Sequence, residues 1–282
     1  LIRWVEVFAQ SVALNATPLH VSGVFKRQLE GQLRAWIFTS ATLAVGNDFS
    51  HYCNELGLSW LEKPPVTQVW GSPFEYGEQA VLYAPQHMPD PNHPEYADAV
   101  ARIALPLIRA ARGRAFVLCT SLRAMRRVHA LITEGLDEAG DELPMLLQGE
   151  GSRTELLARF RALGNAVLVA SQSFWEGVDV PGDALSLVII DRLPFAPPDD
   201  PVLAARIEHL RKAGHNPFMI HQLPRAVISM KQGAGRLIRT ESDPGDIACG
   251  IVRSVNTVMG EFIADAEALL AARLERGSLD DI

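Results

Sequence analysis

The feature that most constrains the fold is an alternation of short apolar, β-rich runs with longer segments of helical pattern. The runs that predict strands are Ala80–Ala84, Ala115–Thr120, Met145–Gln148, Ala166–Ala170 and Leu185–Ile190. The helical segments are 94–112, 122–133 with Ser121 as N-cap, and a helix to about residue 163 that a capping box at 152–155 opens. Strands that alternate with helices form a parallel sheet covered on both faces. The sequence therefore predicts an α/β fold with a mostly parallel sheet flanked by helices.

The N-terminal part predicts a separate piece of α/β structure. The apolar run Ala35–Thr39 is typical of a buried parallel strand. Phe49–Leu56 then predicts a helix that Asp48 caps and Gly57 ends. Prolines and glycines at 64–65 and 71–73 indicate a domain junction.

Composition excludes several classes of protein. With 48% hydrophobic and 21% charged residues, the 282-residue chain resembles a soluble globular protein, and it shows no signal peptide and no apolar run of membrane length. The net charge of −7 excludes a uniformly basic nucleic-acid coat, so DNA binding would need local basic surface. One arginine cluster, at 109–127, fits a DNA-contact surface and a solvated helix face equally well. The three cysteines are far apart, and no Cys/His spacing indicates a metal site.

A phosphate-binding pattern lies near the end of the chain, where residues 232–239 read Q-x-x-G-R-x-x-R. Arg236 and Arg239 are three residues apart and share a helix face. Gln232 lies one turn earlier, and Gly235 lets a phosphate approach closely. A guanidinium is always charged and its planar fork matches phosphate oxygens. In isolation, a glycine and an arginine at this kind of spacing would favour a solvated helix face, but the fuller spacing here and the agreement of other segments favour an arginine-finger element.

Four segments together resemble the motifs of superfamily 2 helicases. Residues 232–239 resemble motif VI, 174–182 motif V of the XPD/DinG branch, 39–43 motif III and 117–122 motif IV. They occur in the family's order, and the run from Asp191 to Pro201 is unusual outside this branch. The chain therefore resembles the bacterial DinG-type helicases, including their YoaA-like members, over roughly residues 15 to 243. The resemblance implies a RecA-like motor domain with the P-loop NTPase fold.

Candidate DNA contacts lie where predicted strands end. Ligands of parallel sheets bind at the carboxyl ends of the strands, and hydroxyl groups and exposed N–H groups suit phosphates. The candidates are Thr39, Ser40, Thr42, Thr120, Ser121, Ser171, Trp175 and Arg192. The alternatives are helix capping for Ser121, core packing for Phe174 and Trp175, and a carboxylate partner for Arg192.

The resemblance also assigns nucleotide-related roles. It implies that Arg236 and Arg239 act as catalytic arginine fingers and that Gln232 and Gly235 contact ATP. It further implies that Glu176, Gly177 and Asp179 couple the nucleotide state to DNA contact. The alternative for the acidic pair is a turn with surface carboxylates.

Two elements of an ATPase are missing from the sequence. It contains no G-x-x-x-x-G-K-[ST] loop and no acidic pair of the type that holds Mg²⁺ in this family. We therefore expect a fragment, in which residues 1–62 are the tail of the first motor domain, 63–252 are the second motor domain and 253–282 are unassigned. ATP and Mg²⁺ would be bound mainly by the first motor domain. The iron–sulfur cluster of the family needs four cysteines, so it would also lie outside this chain.

The leading hypothesis is the C-terminal motor portion of an ATP-dependent DNA helicase, inactive alone. The resemblance implies 5′-to-3′ movement on single-stranded or forked DNA, a role in DNA repair, the protein's own first motor domain as partner, and a bacterial cytoplasmic, nucleoid-associated location. An alternative is a non-catalytic module that binds nucleic acid or protein. A Rossmann-type enzyme would need a G-x-G-x-x-G after a strand, and none is present.

Overall fold

The chain opens with an antiparallel hairpin of β1 (Ile2–Val7) and β2 (Val12–Thr17). Helices α1 (Ser22–Leu29) and α2 (Ser50–Leu56) follow, and Leu58–Trp60 forms a 3₁₀ turn. The computed structural model describes residues 1–29, 34–71, 80–83, 85, 88–171, 174, 184–197, 199–234 and 246–250.

Local hydrogen bonds fix both ends of α2, as the sequence predicts. The Asp48 carboxylate accepts from the Ser50 backbone N–H at 2.7 Å and from the Ser50 hydroxyl at 2.7 Å. Gly57 ends the helix in the left-handed conformation, with φ of 74°, and its N–H donates to carbonyls of the last turn. The predicted helix and its end at Gly57 are confirmed, but the helix begins at Ser50 with Phe49 at the N-cap, one residue later than predicted.

The prediction of a buried strand at Ala35–Thr39 is wrong for this structure. These residues form no regular element, and the side chains of Trp36 and Ile37 are 42% and 84% exposed. A buried parallel strand needs hydrogen-bonded neighbours on each side. Within the described ranges, the strands that pair in this part of the chain are β1 and β2. The composition of the run is typical of a strand, but among the described residues no neighbouring strand pairs with it.

A parallel sheet organises the middle of the chain. Its strands are β3 (Ala80–Tyr83), β4 (Ala115–Cys119), β5 (Met145–Leu147), β6 (Val167–Ser171), β7 (Leu187–Ile190) and β8 (Asp246–Gly250). In the described part of the chain the order is β3-β8-β7-β4-β6-β5. All neighbouring pairs are parallel. The predicted α/β class is confirmed, and it is the class expected of a RecA-like motor domain.

Helices α3 (Tyr96–Ala110), α4 (Leu122–Ala139) and α5 (Arg153–Leu163) cover this sheet. The predicted cap of α4 is present, because the Ser121 hydroxyl accepts from the Ala124 N–H at 3.2 Å. The predicted capping box of α5 is complete, with Ser152 and Glu155 each accepting from the other's backbone N–H. Helix α4 continues past the predicted end at Thr133 until Gly140 ends it in the left-handed conformation.

The core occupies both faces of the sheet, and the residues of β4 alternate between them. Ala115, Val117 and Cys119 face a cluster that α3 and α4 complete, whereas Phe116 and Leu118 face a cluster that α5 completes. Every residue of β4 is buried. This double burial is why the strand reads as a continuous apolar run instead of an alternating one.

The segment after the sheet contributes α6 (Pro201–Lys212), a π-helical stretch at Phe218–Gln222 and α7 (Leu223–Ala234). Asp200 caps α6 by accepting from the Val202 and Leu203 N–H groups, both at 2.8 Å. Glu55 on α2 holds the segment through His221 at 3.3 Å and Arg206 at 3.4 Å. The hydrogen bond from His221 and the charge of Arg206 lower the pKa of Glu55 to about 2.

The chain divides into two units, each of which combines two separate segments of the sequence. One comprises Leu1–Gly71 with Phe195–Ser229, and the other comprises Ser72–Pro194 with Met230–Ile282. The assignment of 1–62, 63–252 and 253–282 to motor domains and tail stays a prediction. Residues 253–282 lie outside the described residues. Within the described ranges, no helix combines the length and apolar character needed to cross a membrane.

Gly113 is predicted to be intolerant of a side chain. Its φ is 76°, and an added Cβ would lie 1.9 Å from the Asn165 carbonyl oxygen. Gly140 has a similar φ of 72° but no heavy atom within 4 Å of an added Cβ. Alanine at either position costs about 1–2 kcal/mol for the left-handed backbone. We expect Gly113→Ala to cost about 1–3 kcal/mol more than Gly140→Ala, measured as free energies of unfolding in urea. Equal losses would contradict the predicted clash.

Candidate nucleic-acid contact site

Three neighbouring strands end at the same edge of the sheet. Strand β4 lies between β7 and β6, and the register pairs Leu118 with Ile190 and Cys119 with Ser171. Thr120 and Asp191 therefore follow paired strand ends. The structure brings four of the predicted DNA contacts to this edge: Thr120, Ser121, Ser171 and Arg192.

Asp191 is a buried carboxylate at the centre of this edge, with only 1% of its side chain exposed. Its Oδ1 accepts from the Thr120 backbone N–H at 3.0 Å, and its Oδ2 lies 3.5 Å from the Thr120 hydroxyl. Its carbonyl accepts from the Tyr96 hydroxyl. Burial raises the pKa of Asp191 to about 6, against the opposing effects of Arg192 and the Thr120 hydrogen bonds.

Arg192 is held between a carboxylate and an aromatic ring. Its Nε lies 3.6 Å from Asp191 Oδ2, and its guanidinium carbon is 5.3 Å from the centre of the Tyr96 ring. The Nε atom is fully buried, but 30% of the side chain remains exposed, and that exposed part belongs to its other atoms. Of the two partners that the sequence left open for Arg192, the structure provides the carboxylate.

Ser121 and Ser171 are positioned by different means. The Ser121 side chain is exposed and caps α4, so its capping role is confirmed. Gln148, just after β5, accepts through Oε1 from the Ser171 N–H at 2.7 Å and from the Ser171 hydroxyl at 2.9 Å. Both hydroxyls therefore lie at the sheet edge with defined local partners.

Sequence reasoning missed the roles of Asp191, Gln148 and Tyr96. A carboxylate directly after a buried apolar strand is the signal that could have identified Asp191, because such a strand ends at the binding edge of a parallel sheet. Gln148 follows β5 in the same way. Tyr96 gives no comparable signal, since it lies 95 residues before the carbonyl to which its hydroxyl donates.

The motif III candidates form a small turn in the other unit. The Thr42 N–H donates to the Ser40 hydroxyl at 3.2 Å, and the two hydroxyl oxygens are 3.3 Å apart. Thr39 and Ser40 are exposed, and Thr42 is half-buried. The hydroxyl groups are thus arranged by local contacts alone.

Most of the nucleotide-related candidates fall outside the described residues. These are Arg236, Arg239, Gly235, Glu176, Gly177 and Asp179, together with the DNA candidate Trp175. Gln232 lies near the end of α7 and is half-buried. Phe174 is buried in the sheet core, and Arg153 lies 5.4 Å from its ring centre, so packing is the correct interpretation of that aromatic.

Ion pairs account for part of the arginine cluster. Arg109 Nε lies 2.6 Å from Asp141, and Arg127 Nη2 lies 2.7 Å from Asp98. These pairs favour a solvated helix face for those two arginines. In the described part of the chain, no three His, Cys, Asp or Glu side chains gather into a group that could hold a metal ion.

Comparison with known proteins decides the family. The model of the helicase C-terminal domain matches residues 104–264, more than half of the chain. The chain belongs to the helicase C-terminal domain family. The chain is 48% identical over 242 residues to the ATP-dependent DNA helicase YoaA of Haemophilus influenzae, covering 86% of this chain and 36% of that protein. It is 36% identical over 252 residues to the ATP-dependent helicase DinG of Mycobacterium tuberculosis, covering 89% and 37%.

The relatives confirm the resemblance to DinG-type helicases on which the motif assignments depend. This helicase C-terminal domain spans little more than a third of the length of either relative. Among solved structures, Xpd4 of S. tokodaii aligns with a TM-score of 0.48 and 15% identity, over 67% of this chain and 36% of that chain.

The raised pKa of Asp191 predicts a pH-dependent stability difference from Asp191→Asn. The pKa near 6 in the folded helicase domain exceeds the ordinary value of 3.8, so the folded state binds the proton more tightly. The contribution of Asp191 to the stability of the wild-type protein therefore falls as the pH rises through this window. Relative to wild type, we expect the Asn variant to gain about 3 kcal/mol between pH 3.5 and pH 7. Urea denaturation of both chains measures this, and a parallel pair of pH profiles would contradict it.

Proposed function

We propose that the chain is the C-terminal motor portion of an ATP-dependent DNA helicase that acts on single-stranded or forked DNA. The family match carries this proposal. The carboxyl edge of the parallel sheet supports it, because an arginine, a helix N-terminus and the exposed hydroxyl of Ser121 gather where such sheets bind ligands.

The chemistry of this edge suits the phosphate backbone of DNA. Ser121 places its hydroxyl at the N-terminus of α4, where the helix dipole favours an anion. Arg192 adds a permanent positive charge that remains partly exposed. Contacts of this kind fix the protein on the strand without reading its sequence, which is what movement along DNA of any sequence requires.

An exposed apolar run within residues 1–62 supports the proposal that these residues belong to a first motor domain. Trp36, Ile37 and Phe38 have the composition of a buried strand, yet Trp36 and Ile37 are substantially exposed. The ring of Trp36 meets Phe25 edge to face, with ring centres 5.8 Å apart, and stacks on Phe38 at 6.2 Å. This exposure supports the proposal that these residues complete the first motor domain of the intact protein, which is then a partner of the second.

Catalysis is proposed to depend on the segment after α7. Arg236 and Arg239 would act as arginine fingers on ATP bound mainly by the first motor domain with Mg²⁺. Gln232, Gly235, Glu176, Gly177 and Asp179 would contact or sense the nucleotide. Movement would run 5′ to 3′ during DNA repair, in the bacterial cytoplasm and at the nucleoid.

An iron–sulfur cluster does not fit the described residues. Cys53 and Cys119 are buried thiols in different units, and a cluster needs four cysteine ligands. Any cluster of the intact helicase would therefore take its ligands from elsewhere.

Arg236→Ala in the full-length protein tests the finger role. Because an arginine finger stabilises charge only in the transition state, we expect DNA-stimulated ATP hydrolysis to fall by about 10³-fold or more, with affinity for single-stranded DNA unchanged. Steady-state ATPase assays and fluorescence anisotropy measure the two quantities. Arg159→Ala, an exposed arginine on α5, is the matched control and should retain wild-type turnover. Unchanged hydrolysis by Arg236→Ala would contradict the role.

The 282-residue chain by itself is predicted to hydrolyse no ATP. The sequence contains no phosphate-binding loop of the G-x-x-x-x-G-K-[ST] type, so nothing in it cradles the β- and γ-phosphates. The measurement is phosphate release with and without single-stranded DNA, with the full-length protein as positive control. DNA-stimulated turnover by the short chain would disprove the division of the active site between two motor domains.

A further inference from the structure

A buried carboxylate at a sheet edge calls for a physical explanation, because desolvation makes its charge costly. Asp191 lies among Thr120, Arg192, Tyr96 and the buried thiol of Cys119. Above its pKa of about 6 it carries a charge in a site that opposes ionisation. Groups of this kind are more common at functional sites than in ordinary cores.

The hydrogen bonds of Asp191 alter the role available to Thr120. The Thr120 backbone N–H already donates to Asp191 at 3.0 Å, and its hydroxyl faces the same carboxylate. Two donors predicted from the sequence to meet DNA are therefore directed inward. The hydroxyl of Ser121 and the exposed part of Arg192 remain at the surface.

Arg192 in turn depends on Asp191 for its position. An arginine has several rotatable bonds and loses considerable freedom when one conformation is fixed. Here Nε is buried 3.6 Å from Asp191 Oδ2, as an ion pair without a hydrogen bond, and the guanidinium carbon lies 5.3 Å from the centre of the Tyr96 ring. The hydroxyl of Tyr96 also donates to the Asp191 carbonyl, so one aromatic residue orders both neighbours.

We propose that Asp191 is a positioning residue for DNA binding, which orients Arg192 toward the phosphate backbone and fixes the Thr120 turn that presents Ser121. The inference rests on the proposed helicase function and adds Asp191, which acts through Arg192. Charge is essential to this role, since a neutral group of the same shape can still accept from the Thr120 N–H but cannot attract the guanidinium.

The experiment compares Asp191→Asn and Arg192→Ala with wild type in the full-length protein, using anisotropy of a fluorescent oligothymidylate at pH 7.5 over a salt series. We expect each variant to lose about tenfold in affinity, and the dependence of log K on log salt to become shallower by about 0.7, the value for one phosphate contact on a single strand. The double variant should bind no more weakly than Arg192→Ala, because both changes remove the same contact.

Asp98→Asn is the matched control. It also removes a carboxylate that pairs with an arginine, Arg127 at 2.7 Å, but both side chains of that pair are largely exposed, whereas Asp191 is buried. We expect wild-type affinity and salt dependence from this variant. A loss equal to that of Asp191→Asn would show a general effect of charge and overturn the positioning role.

A pH series gives a second test that does not depend on the folding of the Asp191→Asn protein. As the pH falls from 7.5 to 5.5, wild-type affinity should decline more than that of Arg192→Ala, because protonation of Asp191 releases an arginine that the variant lacks. Parallel profiles would overturn the proposal, as would an Asp191→Asn protein with wild-type affinity.

The outcomes separate this inference from the function on which it rests. If Arg192→Ala weakens binding but Asp191→Asn does not, the DNA contact stands and the positioning role fails. If the wild-type protein binds no single-stranded DNA, the proposed function fails and the inference with it.

Discussion

Hydrogen bonding of β4 to strands on both of its sides is the interaction on which the structure depends. β7 and β6 flank this strand, and its five residues are buried on both faces. A parallel strand in this position cannot shift by one residue without moving its apolar side chains to the wrong face. The register of the central strands therefore determines which residues meet at the carboxyl edge, where Thr120, Ser171 and Asp191 lie together.

The carboxyl edge of the sheet contains a buried carboxylate, Asp191, that reduces the stability of the fold when it is ionised. Replacement of a buried charge by a neutral group is often favourable for stability, and the raised pKa of Asp191 is consistent with that rule. Its ionised form nevertheless faces an arginine at the predicted DNA surface. The sheet core around it, which is apolar and buried on both faces, supplies enough stability for one unfavourable carboxylate to persist.

Local sequence signals predicted much of the fold, since they depend on short-range chemistry. The cap at Ser121, the capping box at Ser152 and the apolar run of β7 each require only neighbouring residues. The partners of Asp191 and Ser171 could not be predicted in this way, because Thr120 and Gln148 follow strands that are distant in the sequence. The run at Ala35–Thr39 failed for the complementary reason: its composition indicates a strand, but pairing depends on neighbours that the described residues do not provide.

The left-handed turn before β4 determines which residues reach the carboxyl end of that strand. Arg112, Gly113 and Arg114 all have positive φ, and the Arg114 Nε donates to the Ala111 carbonyl at 2.9 Å. The turn fixes where β4 begins, and five residues later the chain reaches the carboxyl edge of the sheet. The position of the turn therefore sets the register of β4. An insertion of one residue directly after the turn would exchange the two faces of β4 and displace Thr120 from Asp191. The insertion would lie at one end of the strand and its effect at the other.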